Sequence, residues 1–72
     1  MTPEEAVLQV LADADEPLHW TVIQDRALRA GFLDPFETPD VRAAVLGALR
    51  STVADGQVTK PAKGTYMLAT PR

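Results

Sequence analysis

The chain signals a helix start with the same three-residue pattern twice. Thr-Pro followed by an acid occurs as Thr2-Pro3-Glu4 and again as Thr38-Pro39-Asp40, and an apolar stripe of helical period follows each. The chemistry fits a first turn. A threonine oxygen accepts from N–H groups that have no partner within the helix, proline suits the first helical position, and an acid suits the positive end of the helix dipole. In the first case Glu5 completes a capping box with Thr2. Val7, Val10, Leu11 and Ala14 then share one face, which predicts a helix over about 3–14, stopped by Asp-Glu-Pro at Pro17. In the second case Thr38 is expected to cap, with Pro39 first and Asp40 second. Val41, Val45, Ala48, Leu49 and Thr52 mark a buried stripe over about 39–54, and Asp55-Gly56 ends it. A third start, Thr21 with Gln24 three residues on, predicts a helix over about 21–30. It turns Ile23, Ala27 and Ala30 inward, stops at Gly31 and carries Arg29 in its last turn.

Between these helices the sequence changes character. Pro17-Leu18-His19-Trp20 reads as a short extended connector with a chance to pair on a later strand edge. Phe32-Leu33-Asp34-Pro35-Phe36-Glu37 reads as a loop whose phenylalanines plug the base of the domain. After the third helix, Gln57–Lys60 and Thr65–Leu68 read as two short strands around the turn Pro61-Ala62-Lys63-Gly64. The hairpin then covers about 57–69, with Val58, Tyr66 and Leu68 inward. Three helices, a short extended segment before the second, and a two-stranded C-terminal β-hairpin make an α+β domain of winged helix-turn-helix type. Residues 1–72 are expected to form one such domain.

Composition narrows the function classes. Seventy-two residues allow one small core, and the absence of cysteine removes disulfides and thiolate metal sites as reinforcement. The apolar and charged fractions, 46% and 24%, fit a folded domain rather than a disordered segment. No apolar run is long enough to span a bilayer, and the acidic start is unlike a signal peptide, so a cytoplasmic setting is expected, or a nuclear one where the host has a nucleus. Net charge is −3, but it is unevenly spread: residues 1–16 carry −5, residues 17–55 carry −1, and residues 56–72 carry +3. Scattered carboxylates, one serine (Ser51) and no phosphate-binding glycine loop give no basis for an enzyme or a cofactor.

The order Pro17-Leu18, Ile23, Gly31, Thr38-Pro39, and Gly64 with Tyr66 resembles the HARE-HTH winged-helix family, which includes domains of chromatin factors, restriction endonucleases and the bacterial RNA polymerase delta subunit. The resemblance spans about residues 4–69. It implies a winged helix that binds DNA in transcription or restriction, with protein docking as the alternative role in some members. One departure stands out: Val45 and Leu49 lie about half a turn further from the Thr-Pro than in the family's pattern.

A DNA-binding reading selects particular residues. The third helix of a winged helix enters the major groove and the hairpin touches backbone or minor groove. The outward face of residues 39–54 presents Arg42, Leu46, Arg50 and Ser51, and the arginines suit guanine edges or phosphates. Lys60 and Lys63 lie in a hairpin without acids, the single-signed charge that phosphate contact needs. Arg26 or Arg29 is a candidate for support from the second helix. Thr38 with the helix-start N–H groups is a candidate phosphate cradle, opposed by Asp40. Trp20 is expected to be a packing lid, and His19, without companions at ligand spacing, is a poor metal ligand. The competing expectation is an adaptor that docks on a protein through the apolar middle of the third helix or the acidic first helix, in keeping with the acidic pI of about 4.8. A homodimer through Leu46 and Phe32 or Phe36 fits either role.

Overall fold

A computed structural model describes residues 2–69; Arg72, counted among the C-terminal cations, lies outside them. The elements run α1 (Pro3–Asp13), β1 (Leu18–His19), α2 (Trp20–Arg29), α3 (Val41–Ala54), β2 (Val58–Ala62) and β3 (Thr65–Leu68). Three helices thus pack with a three-stranded antiparallel sheet of order β1-β3-β2. The layout is compatible with a winged helix.

α1 begins as its sequence predicts. The Thr2 hydroxyl accepts from Glu5 N–H at 3.1 Å and the Glu5 carboxylate accepts from Thr2 N–H at 2.9 Å. The bond from Thr2 N–H, helped by the neighbouring Thr2 hydroxyl, holds the Glu5 carboxyl below the ordinary glutamate range. The other two helix starts differ from expectation. α2 begins at Trp20, not Thr21, because the His19 ring caps it: Nδ1 accepts from Thr21 N–H at 3.2 Å and lies 2.8 Å from the Thr21 hydroxyl. Gln24 forms no box, and its enclosed Oε1 has no protein partner. α3 begins at Val41, with the Asp40 carboxylate accepting from Ala43 N–H at 3.0 Å. Thr38 is held in the preceding loop, where its N–H donates to Asp34 O at 2.8 Å. Proline also disfavours helical backbone in the residue before it. Counted from this later start, Val45 and Leu49 fall four and eight residues into the helix.

Both α2 and α3 end on a glycine in left-handed backbone. Gly31 (φ 78°) and Gly56 (φ 79°) each follow the cap residue, and the paired bonds Phe32 N–H to Ala27 O and Gln57 N–H to Thr52 O, both 2.9 Å, close the last turns. For α2 this leaves Ala30 as an exposed cap residue rather than a core residue.

The core is one cluster: Ala6, Val7, Val10 and Leu11 of α1, Leu18 of β1, Ile23 and Ala27 of α2, Leu33 of the loop, Val45, Ala48 and Leu49 of α3, and Val58 of β2. Tyr66 and Leu68 pack against it from β3. Thr52 is buried beside this cluster because its hydroxyl donates back to Ala48 O and Leu49 O, at 2.9 and 3.0 Å. In the loop, the plugging residues are Leu33 and, half-buried, Phe32. Phe36 is 94% exposed, contrary to the expectation that it seals the base.

The sheet ties the connector to the hairpin. Leu18 pairs with Tyr66 and His19 with Thr65, so the extended segment before α2 becomes an edge strand on β3. On the other side Val58 pairs with Leu68, Thr59 with Met67 and Ala62 with Thr65. Lys60 and Pro61 therefore oppose Tyr66 alone, a bulge that accommodates a proline on an edge strand. The turn is tighter than expected: Pro61 and Ala62 belong to β2, and only Lys63 and Gly64 span the reversal.

Candidate nucleic-acid interface

Three chain segments meet at Trp20. Its backbone N–H donates to Gly64 O at 3.0 Å, which fastens the first turn of α2 to the hairpin turn. Its ring, half-buried, packs against the core and lies 5.6 Å from the His19 ring. The Arg42 guanidinium of α3 sits over the Trp20 ring at 5.3 Å, inside the range for cation–π attraction. The expected packing lid is therefore also a seat for an arginine, and the bond to a carbonyl comes from its backbone.

Gly64 makes this approach possible. Its φ of 74° lies in the left-handed region, and a Cβ there would stand 2.9 Å from His19 Nε2 and 3.7 Å from Trp20 Cδ1. His19 in turn is fixed because its Nδ1 caps α2. Lys63 precedes Gly64 in the same turn. Along β3, Tyr66 carries the second cation: Lys60 Nζ lies 6.0 Å from its ring centre. Arg42 is thus tied to the hairpin turn through Trp20 and Gly64, while Lys60 lies by Tyr66 of the neighbouring strand.

The other predicted residues lie along α3. Arg50 and Ser51 are exposed, and Arg50 is two turns from Arg42, about 12 Å along the axis. Leu46, between the arginines, is half-buried. The residues proposed for support do not join this surface. Arg29 is paired with Asp25 at 3.0 Å on the exposed side of α2, and Arg26 lines a groove with Asp13, Asp15 and Glu16. Thr38 is no phosphate cradle, because it is not at the start of α3. The Asp40 carboxylate occupies that start and disfavours a second anion there.

Sequence reasoning chose the cations but missed what organises them. His19 and Gly64 lie on opposite sides of α3 in the sequence, and nothing in their spacing announces that one must lack a Cβ for the other. Among the described residues no group of three or more His, Asp or Glu side chains could hold a metal ion, and no helix is long and apolar enough to cross a membrane. No family model matches the chain, and neither does any curated protein or solved structure.

Proposed function

We propose that the domain is a winged helix-turn-helix of HARE-HTH type that binds double-stranded DNA. The observation that carries this reading is the meeting of α3, α2 and the hairpin turn at Trp20, with Arg42 on its ring and Lys63 beside the turn glycine. In this arrangement the exposed face of α3 lies in the major groove, where Arg42 and Arg50 reach base edges or phosphates and Ser51 adds a hydroxyl. Lys60 and Lys63 grip the backbone from the hairpin. A guanidinium stacked on an indole is held in position before DNA arrives, which lowers the entropy lost on binding. Because Leu46 is half-buried, arginine rather than leucine stands clear on this stripe, which favours a phosphate-facing role over docking through the middle of α3.

The test is a titration with duplex DNA at two or more salt concentrations. Four phosphate-bound cations, Arg42, Arg50, Lys60 and Lys63, give a slope of log K on log salt of about −3 to −4. A slope near zero, or no binding at low salt, refutes the proposal.

A further inference from the structure

The loop between α2 and α3 displays one aromatic ring in water, and its turn chemistry explains how. Asp34-Pro35-Phe36-Glu37 is a β-turn: Glu37 N–H donates to Asp34 O at 3.1 Å. Aspartate first and proline second are the residues that favour such a turn. The Asp34 carboxylate accepts from Phe36 N–H at 2.9 Å, and Asp34 O also accepts from Thr38 N–H at 2.8 Å. Asp34 therefore closes the loop through both backbone and side chain. The two apolar residues before it, Phe32 and Leu33, reach the core; Phe36 is turned away and stays 94% exposed.

The chain segment around that ring carries charge of one sign. Asp34, Glu37 and Asp40 are exposed, and residues 31–41 contain no base. Such a surface repels phosphate, so it is not an extension of the DNA face. It also repels the acidic groove lined by Asp13, Asp15 and Glu16, which disfavours insertion of Phe36 into that groove of a second copy. A pre-shaped turn presenting an aromatic anchor with few rotatable bonds is the geometry of an interface hot spot.

We propose that Phe36 anchors a protein-docking site: the ring enters an apolar pocket on a partner protein whose rim carries lysine or arginine opposite Asp34, Glu37 and Asp40. This site uses none of the cations assigned to DNA and does not depend on DNA binding. The test places the photo-crosslinker p-benzoylphenylalanine at position 36 of the full chain in its own host, with the same residue at Val53, another exposed apolar side chain, as control. The expected result is a discrete adduct with a different protein from position 36 and none from position 53. Purified, that protein binds the wild-type chain, binds Phe36→Ala at least about tenfold more weakly, and is also weakened by Glu37→Lys. Melting temperature and DNA affinity of Phe36→Ala stay at wild-type values. The proposal is overturned by any of four results: no adduct above the Val53 control, an adduct only with a second copy and a doubled mass in sedimentation, a partner bound equally by Phe36→Ala, or a partner bound more tightly by Glu37→Lys.

Discussion

Replacing Gly64 by alanine should reach from the hairpin turn into α2. Two costs combine. A non-glycine residue in left-handed backbone loses roughly 1–2 kcal/mol. The new Cβ would also stand 2.9 Å from His19 Nε2, so the ring must move, and that ring is the cap of α2. Losing a cap costs about 0.5–2 kcal/mol. Gly31→Ala is the control, because Gly31 has a similar φ of 78° but nothing within 4 Å of an added Cβ. Gly31→Ala should therefore show only the backbone cost, and Gly64→Ala should exceed it by the cap. In a domain of this size each kcal/mol lowers Tm by about 4–8 °C, so the two variants separate in a thermal melt followed by circular dichroism. His19→Ala completes a double-mutant cycle. Alone it costs the cap; on top of Gly64→Ala it should cost little, giving a coupling of about 0.5–2 kcal/mol. Equal losses for Gly64→Ala and Gly31→Ala, or strict additivity with His19→Ala, would refute the proposed contact.

Other expectations follow from single residues. Leu49→Ala, at a fully buried position of α3, should cost about 2–5 kcal/mol, against a total stability of roughly 4–11 kcal/mol for 72 residues; urea unfolding measures it, and a loss below about 1 kcal/mol contradicts the core assignment. The double variant Lys60→Glu, Lys63→Glu should weaken DNA binding alike on all sequences and flatten the salt slope by about two, read by titration with two unrelated duplexes. Because folding depresses the Glu5 pKa, chiefly through the bond from Thr2 N–H, its contribution is present above the ordinary glutamate value of 4.5 and is lost as pH falls through the lower folded value. Glu5→Gln should therefore be less stable than wild type at neutral pH, with the difference shrinking as pH falls below 4.5 in urea titrations; a constant difference would show that the charge is not involved.

Local chemistry written in consecutive residues was legible before the structure. The Thr2–Glu5 box, the glycine stops at Gly31 and Gly56, the stripe Val45-Ala48-Leu49-Thr52 and the inward positions Val58, Tyr66 and Leu68 depend on neighbours within one or two turns or on strand alternation. The order of elements follows from them. Tertiary structure decided the rest, because several residues satisfy the same local rule and only packing selects among them. Thr38 and Asp40 are both good caps; Asp34 holds Thr38 in the loop, so Asp40 caps. Thr21 and His19 both precede an apolar run; pairing of His19 with Thr65 sets where the strand ends and the helix begins. Phe32 and Phe36 are the same residue four positions apart, yet the Asp34-Pro35 turn sends one to the core and the other to water. The meeting of Arg42, Trp20 and Gly64 joins three segments more than twenty residues apart. Sequence alone supplies the charge of Arg42, and helix and sheet packing bring it over Trp20, whose backbone is bonded to the hairpin turn.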